Sequence, residues 1–494
     1  DVKNFFDEYL IIEEENNRII TTSNTKTVVI PFDSTKIYVS GANIDIAHTL
    51  MQKDDKIYLP MTDLTEVYNI EINYYSESNI VTIDSLNRKF VQATSSKNMS
   101  VKYLPTTFSK TMDKVERGDT LVIVQDKENN NVVEEDWTKV RTDNGELGYV
   151  KTKDISNEQV AREELDTNTT LDGKVSLIWD YYSQYVTAPV RDGTIEGVNV
   201  VSPSFYEITA SGDIDANIGV DGKNYIEWAH ANGYKVWPMV SNSELGDLDA
   251  MSKILEKFET RGYLIENIVS ELIEAGVDGV NIDFENMYQE DKENFSRFLI
   301  ELAPRLHEAG LTLSVDVTAP DGSETWSLCY DRNTIGKVAD YIIFMGYDQN
   351  GPSSTEAGTV AGANWVELNI KKFLGQEGVE SNKLILGIPF YTRLWKEDDG
   401  TLTSSVVNMR SVTIPEGVGK TWDEETKQFY IEYEKNGATY KMWIEDEESI
   451  KAKLDLVNQY DLAGAGFWSK DRELNTVWSI INEKLNIEKD TENE

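Results

Sequence analysis

The feature that most constrains the fold of this chain is an alternation of short apolar runs with helix-like segments between residues 172 and 486. Each run has the length and branched apolar composition of a buried strand, and the intervening segments have room for helices. Eight such units over about 315 residues predict an α/β fold, a (β/α)₈ TIM barrel of parallel strands. The predicted strands are Val175–Trp179, Val198–Val201, Val236–Val240, Gly279–Phe284, Leu311–Val317, Tyr341–Met345, Leu384–Ile388 and Ala463–Trp468.

The remaining segments surround or interrupt this repeat. Residues 396–446 carry strand-like runs of their own, and we interpret them as a small α+β insertion after the seventh strand. Residues 1–93 and 94–155 contain short strand-like runs between polar turns, which predicts two small β-rich domains. Residues 156–171 are polar and predict a linker or a short helix, and residues 487–494 form an acidic tail that is expected to fray.

The acidic composition limits the kinds of partner. The chain has 47 Lys and Arg residues against 87 Asp and Glu residues, a formal net charge of −40. This charge repels the phosphates of nucleic acid and the surface of anionic membranes. The sequence therefore predicts neither a nucleic-acid partner nor an anionic membrane partner, and the charge by itself names no substrate.

Cysteine and histidine usage excludes further classes of chemistry. Cys329 is the only cysteine, so we expect no intramolecular disulfide and no cysteine metal cluster. The three histidines, His48, His230 and His307, lie in no recognisable motif, so neither a zinc site nor a serine triad is expected. We predict no metal and no cofactor. A run of about 18 apolar residues is absent, so this chain is expected to contain no transmembrane segment.

The segment 278–285, Asp-Gly-Val-Asn-Ile-Asp-Phe-Glu, predicts a functional site. Alternate residues of a strand point the same way, which places Asn281, Asp283 and Glu285 on one face and the apolar residues on the other. Burying two neighbouring carboxylates costs several kcal/mol, so the arrangement indicates a use. Close acids also split their pKa values, and one of them then keeps a proton near neutral pH. The pattern indicates a general acid with a supporting carboxylate.

Several motifs at predicted strand ends point to one family. Segment 278–285 resembles the DxxDxDxE signature of family-18 glycoside hydrolases, the chitinase-like enzymes, and Met345-Gly346-Tyr347-Asp348 resembles their M-x-Y-D motif. Trp468 ends the eighth predicted strand, where the family has a tryptophan beneath its sugar. Tyr391 and Arg393 follow the seventh, where family members line the cleft.

The resemblance covers essentially all of residues 172–485. Ser202-Pro203-Ser204 and the segment 387–391, Gly-Ile-Pro-Phe-Tyr, resemble in particular the subgroup that contains bacterial spore-cortex N-acetylglucosaminidases. Several ordered motifs on separate strands make chance a poor explanation.

The resemblance implies substrate-assisted hydrolysis, an exception to the two-carboxylate rule for glycosidases. Glu285 is then the acid that protonates the glycosidic oxygen, and the sugar's own 2-acetamido carbonyl attacks the anomeric carbon. Asp283 orients the acetamido N–H, and Tyr347 hydrogen-bonds the acetamido oxygen. Asp348 helps to hold the distorted ring, and Trp468 offers an apolar face for stacking. The configuration is retained, and no metal is needed.

One residue departs from the family pattern. The usual second Asp of the signature is Asn281 here, and an amide cannot ionise. Asp283 would therefore meet a fixed amide donor instead of a carboxyl group that shares a proton with it, which leaves the pH optimum open. Asp278 is expected to be a structural acid at the start of the strand.

The two N-terminal segments also carry resemblances. Residues 1–93 resemble the small repeat named after the amine oxidase N-terminus, and a spacer or stalk is the alternative interpretation. Residues 94–155, with Trp137-Thr138-Lys139-Val140 and Gly148-Tyr149-Val150, resemble bacterial SH3-like domains that accompany cell-wall enzymes. This second resemblance implies binding to the cell wall. Alternatively, Trp137 and Tyr149 simply form the core of a small barrel.

The leading hypothesis is a β-N-acetylglucosaminidase that acts on bacterial peptidoglycan. A chitinase or an endoglycosidase on another acetamido glycan remains open, because all these substrates carry the required acetamido group. A non-catalytic carbohydrate-binding protein is the rival class, and the presence of Glu285 argues against it. We expect a monomer, since the barrel needs no partner, and action outside the cell or in the cell envelope.

Overall fold

The computed structural model describes residues 1–126, 129–163, 169–182 and 187–487. All but the first residue of the predicted acidic tail, and part of the predicted linker, lie outside these ranges. The chain divides into two compact units, Asp1–Asn168 and Thr169–Glu494. The helices of the described residues are α1 (Val2–Phe5), α2 (Thr65–Tyr68), α3 (Gly219–Ala231), α4 (Leu248–Glu256), α5 (Phe258–Ala275), α6 (Lys292–Glu308), α7 (Arg332–Val338), α8 (Ala363–Gly375), α9 (Glu447–Gln459) and α10 (Val477–Leu485).

The first unit begins with an antiparallel meander and two hairpins. Strands β1 to β5 pair in chain order, while β6 pairs with β7 and β8 with β9. Between β7 and β8 lie a 3₁₀ turn, Met61–Asp63, and the short α2. The strands are β1 (Ile11–Glu13), β2 (Arg18–Thr22), β3 (Thr27–Pro31), β4 (Lys36–Val39), β5 (Ala42–Asp45), β6 (Met51–Lys53), β7 (Lys56–Tyr58), β8 (Ile70–Tyr75) and β9 (Ile80–Ser85).

A second antiparallel sheet completes this unit. Its strands run in the order β12-β11-β16-β15-β13-β10-β17, with β14 paired to β15. Trp137 and Tyr149 are both buried, as the core interpretation of these residues expects. The strands are β10 (Phe90–Ser95), β11 (Met99–Lys102), β12 (Thr111–Val115), β13 (Thr120–Ile123), β14 (Val133–Glu134), β15 (Trp137–Arg141), β16 (Leu147–Lys151) and β17 (Ile155–Arg162).

The boundaries of this second sheet differ from the predicted ones. The sheet begins at Phe90, before the predicted boundary at residue 94, because β10 pairs on both sides with β13 and β17. The first part of the predicted linker is not a linker, because it forms β17. The guanidinium of Arg141 donates to both oxygens of Asp84, at 2.7 and 2.8 Å, and thereby joins the second sheet to the β8–β9 hairpin. The two predicted small domains therefore belong to one unit.

The second unit is a TIM-barrel-like arrangement of parallel strands. Its strands are hydrogen-bonded in the order β21-β20-β23-β24-β25-β26-β27-β33-β18-β19-β22, and all of these pairings except that of β20 with β21 are parallel. The strands of this unit are β18 (Val175–Asp180), β19 (Val200–Pro203), β20 (Tyr206–Ile208), β21 (Ile214–Ala216), β22 (Lys235–Val236), β23 (Met239–Ser241), β24 (Gly279–Asp283), β25 (Thr312–Val317), β26 (Tyr341–Met345), β27 (Leu384–Pro389), β28 (Tyr391–Asp398), β29 (Thr401–Asn408), β30 (Thr421–Asp423), β31 (Gln428–Lys435), β32 (Ala438–Ile444) and β33 (Gly464–Trp468).

The third barrel strand is interrupted where a continuous strand was predicted. Its first part, β22, pairs with β19, and its second part, β23, pairs with β24. Trp237-Pro238 separates the two parts, and a proline has no N–H to contribute to a sheet. The strand therefore changes partners at the proline, and β20 takes the place beside β23 through parallel pairing of Glu207 with Ser241.

The insertion after the seventh barrel strand also differs from the prediction. It is an antiparallel sheet in the order β29-β28-β32-β31-β30, and it begins at Tyr391 rather than at residue 396. Within 391–446, all of which the structure describes, the only helical element is the 3₁₀ turn Met409–Ser411. The insertion is therefore almost wholly β, since the alternating polar and apolar residues of β28, β31 and β32 suit a half-exposed sheet.

The core of the barrel unit lies between the strands and the surrounding helices. Val280, Ile282 and Phe284 pack there with residues of α5 and α6, including Phe295 and Phe298. This packing turns the alternate residues of β24 toward the barrel interior. In the described ranges, no helix combines the length and the apolar character that crossing a bilayer requires.

Candidate active site

Two neighbouring barrel strands bring three carboxyl groups together. Asp283 ends β24, Glu285 follows two residues later, and Asp316 lies on β25. The parallel register pairs Asn281 with Ser314 and Ile282 with Val315, so that Asp283 and Asp316 are the next neighbours across the two strands. Alternation along each strand directs these side chains to the interior of the barrel, at the strand ends where such barrels carry their sites.

Burial and mutual repulsion make these acids hold protons more tightly than usual. Burial and the neighbouring Asp283 and Asp348 carboxyl groups raise the pKa of Glu285 well above its usual range. Burial and the Glu207 carboxyl group raise the pKa of Asp283 to about 7. A raised pKa suits Glu285 to the role of a general acid, which must carry a proton at the start of the reaction.

Asn242 holds the backbone of Glu285 from the end of the third barrel strand. Its Nδ2 donates to the carbonyl oxygen of Glu285 at 2.9 Å, and its Oδ1 accepts from the N–H of Glu285 at 2.9 Å. Asn242 is itself buried. Both backbone groups of Glu285 are thus satisfied by one side chain, which sets the position from which its carboxyl group extends.

The substitution Asn242→Ala is expected to lower kcat about 10- to 100-fold on an acetamido-glycan substrate, with KM within about twofold of the parent value. The reason is that Glu285 loses both backbone hydrogen bonds and its carboxyl group moves from its working position. Steady-state kinetics measures the effect. Asn458→Ala is the matched control, because it removes an exposed amide-to-backbone bond on α9. An unchanged kcat in Asn242→Ala would show that this clamp does not position the acid.

Aromatic side chains line the same end of the barrel. The rings of Tyr347 and Trp468 lie 6.5 Å apart with an interplanar angle of 29°, and those of Tyr347 and Tyr391 lie 6.3 Å apart. The exposed Tyr181 extends this surface, with its ring 5.4 Å from that of Trp468. Burial and the nearby carboxyl groups raise the pKa of Tyr347 well above its usual range, so that its hydroxyl remains a donor.

Asp348 is held by the residues that follow the seventh barrel strand. The hydroxyl of Tyr391 donates to Asp348 Oδ1 at 2.7 Å, and Arg393 Nη2 lies 3.9 Å from the same oxygen. The guanidinium of Arg472 lies over the ring of Tyr391, 5.8 Å from its centroid. Two cationic side chains therefore flank the Tyr391–Asp348 pair in a chain of strongly negative charge.

Asn281 is fixed inside the barrel by partners on two strands. The indole N–H of Trp179 donates to Asn281 Oδ1 at 2.8 Å, and Asn281 Nδ2 donates to Asp316 Oδ1 at 2.8 Å. An indole nitrogen is only a donor, so this contact determines which end of the amide faces Asp316. Asn281 is fully buried, so its side chain does not line an open cleft. It lies two residues before Asp283 on β24.

Two predicted site residues lie outside this group. Asp278 precedes β24, at the opposite end of the strand from Glu285, and accepts from Lys235 Nζ at 3.2 Å and from the N–H of Val236 at 2.9 Å. Its Oδ2 also lies 2.8 Å from Nε2 of His230. Met345 ends β26 as a largely buried residue.

A cavity of about 250 Å³ opens beside the two acids. Its walls include Asn242, Asp247, Met251 and Trp326, together with Asp283 and Glu285. Trp326 is partly exposed and offers an apolar surface at the mouth. In the part of the chain that the structure describes, no group of three or more His, Cys, Asp or Glu side chains is arranged to hold a metal ion.

Three residues near the acids were not predicted from the sequence. Asp316 had a visible signal, because Thr312, Ser314 and Asp316 alternate with apolar residues as the residues of β24 do. The sequence contained no signal for Glu207, because β20 lies beside β23 only as a result of the interruption of the third strand. Asn242 lies in an ordinary polar run after β23, and only the fold places it against Glu285.

Comparison with known proteins agrees with this site. The model of the family "Glycosyl hydrolases family 18" matches residues 177–473, which is more than half of the chain. The uncharacterized glycosylase YvbX of Bacillus subtilis is 25% identical over 295 residues, 58% of this chain and 84% of the relative. The cortical fragment-lytic enzyme of Bacillus subtilis is 25% identical over 254 residues, 49% of this chain and 58% of the relative.

Solved structures share the fold. The chitinase of Chromobacterium violaceum superimposes with a TM-score of 0.55 at 24% identity, over 64% of this chain and 100% of that chain. At this identity the likeness concerns the fold alone. The family match covers the strands that carry Asp283, Glu285, Tyr347 and Trp468. This chain belongs to the glycosyl hydrolases of family 18 and is a glycoside hydrolase.

Proposed function

We propose that the protein is a retaining, substrate-assisted β-N-acetylglucosaminidase that cleaves bacterial peptidoglycan. The observation that supports this reaction type is the pairing of Glu285, whose pKa is raised by burial and by neighbouring acids, with Asp283 at the end of β24. These two acids lie on the same side of the barrel as the surface formed by Tyr347 and Trp468. In the proposed reaction Glu285 is the acid, the substrate supplies the nucleophile, and Asp283 supports the acetamido group instead of attacking the sugar.

In the proposed first step, Glu285 gives its proton to the glycosidic oxygen as the bond from that oxygen to the anomeric carbon breaks. The carbonyl oxygen of the 2-acetamido group forms a bond to the anomeric carbon from the opposite face, and an oxazolinium ion results. Asp283 accepts a hydrogen bond from the acetamido N–H and balances the positive charge. The hydroxyl of Tyr347 donates a hydrogen bond to the acetamido oxygen and thereby orients that oxygen toward the anomeric carbon.

In the second step, the Glu285 carboxylate accepts a proton from water as the water attacks the anomeric carbon. The bond to the acetamido oxygen breaks, and the sugar leaves with its configuration retained. Trp468 stacks beneath the ring in both steps, and Asp348, held by Tyr391, contacts the ring from the side. Arg393 keeps Asp348 in place.

Two observations favour peptidoglycan as the substrate. The first is the likeness to a cortical fragment-lytic enzyme. The second is the cationic pair Arg393 and Arg472 beside Tyr391, because the stem peptides of peptidoglycan carry carboxylates, whereas chitin carries none. Chitin remains the second candidate, since it carries the acetamido group that the proposed reaction requires.

The test is mass spectrometry of the products after incubation with N-acetylated peptidoglycan and, in parallel, with chitin oligosaccharides. Borohydride reduction marks the new reducing ends. We expect reducing N-acetylglucosamine ends from peptidoglycan. Muramic acid ends, or cleavage of chitin alone, would contradict the proposed substrate, and no product from either would contradict the proposed activity on these glycans.

Arg472→Ala is expected to lower kcat/KM on peptidoglycan about fivefold, and to leave kcat/KM on chitin oligosaccharides within about twofold. The reason is that a half-buried guanidinium contributes about 1 kcal/mol to the binding of a carboxylate that only peptidoglycan carries. Parallel kinetics on both substrates measures the difference. Arg297→Ala is the control on α6, away from the strand ends. An equal loss of kcat/KM on both substrates would show that Arg472 acts by holding Tyr391 in place and not by binding a carboxylate of peptidoglycan.

The proposal extends to the first unit and to location. We propose that residues 90–162 form the SH3-like module and bind the cell wall, and that the protein acts as a monomer outside the cell or in the envelope. The likeness to a cortical fragment-lytic enzyme supports a wall-directed role. Residues 1–89 are proposed to be a stalk that resembles the amine-oxidase N-terminal repeat.

A further inference from the structure

Asp316 is a buried acid that the steps above do not use. Its side chain is 2% exposed, and it follows Val315 on β25 as Asp283 follows Ile282 on β24, where Ile282 and Val315 are the last paired residues of the two strands. Neighbouring strands are about 4.8 Å apart, so two inward-facing carboxyl groups at paired positions are within reach of one another. Asp283 Oδ1 is buried and has no hydrogen-bond partner among the described residues.

Asn281 and Trp179 both contact the carboxyl group of Asp316. Asn281 Nδ2 donates to Asp316 Oδ1 at 2.8 Å, and Trp179 fixes the orientation of that amide. Because the amide presents its donor side, Asp316 Oδ1 is an acceptor. Any proton on Asp316 therefore resides on the other oxygen.

The charges that surround the pair are overwhelmingly negative. None of the ion pairs formed by the described residues includes Asp283, Glu285 or Asp316. The titratable groups that interact with the pair are Glu207, Glu285, Tyr330 and Tyr347, and Asp348 in turn interacts with Glu285. Burial and the Asp283 and Glu285 carboxyl groups raise the pKa of Asp316 well above its usual range. Such neighbours cannot all ionise at neutral pH.

We propose that Asp316 is a positioning residue that shares one proton with Asp283 and takes that proton over when Asp283 ionises to face the substrate. The inference rests on the proposed substrate-assisted reaction. In this step the O–H bond of Asp283 breaks and an O–H bond of Asp316 forms, so that the pair keeps a charge of −1. Asn281 cannot take this part, because an amide does not ionise.

The substitution Asp316→Asn distinguishes a structural role of Asp316 from a role in which Asp316 exchanges a proton with Asp283. The amide has the shape of a protonated carboxyl group, so a merely structural role would survive the change. Proton exchange would not survive, and we expect kcat/KM at neutral pH to fall about tenfold or more. The acid limb of the pH profile is expected to move up by about one unit, because an amide N–H stabilises the Asp283 carboxylate less than a carboxyl O–H does.

The double variant Asn281→Asp with Asp316→Asn is the matched control. It moves the carboxyl group from β25 to β24, reverses the hydrogen bond between the two side chains, and keeps both size and net charge. We expect it to return the acid limb and kcat/KM to within about fivefold of the parent protein, because an ionisable neighbour of Asp283 is restored. Thermal unfolding of all three proteins establishes that they are folded.

Infrared spectroscopy of the protein without substrate tests the pair independently of activity. The C=O stretch of protonated carboxyl groups is followed against pH, and Asp316→Asn is expected to lose one such band that is present in the parent protein at neutral pH. If the parent protein shows this band but cleaves no acetamido glycan, the proposed function is wrong and the shared proton still stands. An unchanged pH profile in Asp316→Asn, no recovery in the folded double variant, or no lost band would overturn the shared proton.

Discussion

Glu285→Gln is expected to lower kcat on N-acetylated glycan about 1,000-fold or more, with little change in substrate binding. The glutamine has the shape of the protonated acid and forms the same backbone bonds to Asn242. It has no proton to transfer to the leaving oxygen and cannot activate the water of the second step. Kinetics on a chitin oligosaccharide and on peptidoglycan, with product analysis, measures the loss.

The stability of this variant distinguishes a chemical effect from a structural one. Burial and the Asp283 and Asp348 carboxyl groups raise the pKa of Glu285 well above its usual range, so its surroundings disfavour a negative charge at this position. A neutral amide suits the same surroundings, and we expect the Tm to change by no more than about 2 °C. Glu290→Gln, on the exposed turn that follows, is the matched control and should keep full activity. Comparable activity in Glu285→Gln would refute its role as the acid.

Removing the acetyl groups of the glycan is expected to lower kcat/KM about 1,000-fold or more. Substrate assistance uses the acetamido carbonyl as the nucleophile, and a free amine offers no such oxygen. The free amine is also protonated at neutral pH, and although the acidic site attracts this charge, attraction alone does not supply a nucleophile. Product release from acetylated and deacetylated samples of one glycan, compared by mass spectrometry, measures the difference.

Chemical re-acetylation of the same sample provides the control, because it should return the rate. Equal rates on the acetylated and deacetylated forms would show that a protein group attacks the sugar, or that water attacks directly. Asp283 would then be the first candidate nucleophile, since it lies beside Glu285 at the end of β24. The glycoside hydrolase assignment would stand, and the substrate-assisted step would fail.

The barrel and the acidic segment were predictable because both leave a periodic pattern in the chain. The eight apolar runs correspond to the parallel strands of the second unit, and family 18 membership is confirmed by the match over 177–473. The alternation of 280–285 likewise predicted which residues face the helices and which face the interior. The roles of Glu285, Asp283 and Tyr347 remain predictions, for which the variants above are the tests.

The errors arose where local pattern does not reveal the pairing partner. Val236–Val240 has the composition of one strand, yet Pro238 divides it and the two parts pair with different neighbours. Residues 156–162 have the polar composition of a linker, yet they form the edge strand β17, whose outward side faces water. Edge strands tolerate polar residues on both faces, so composition alone assigns them poorly.

By itself the sequence indicated the succession of the main barrel strands, the acidic motif and the family, because each depends on residues close together in the chain. Only the tertiary structure placed Asn242 against the backbone of Glu285, Glu207 near Asp283, and Asp316 beside Asp283 and Asn281. These contacts join residues tens of positions apart, and strand register creates them. The chemistry of the acids is set by such neighbours, because burial and adjacent charge decide which carboxyl group keeps a proton.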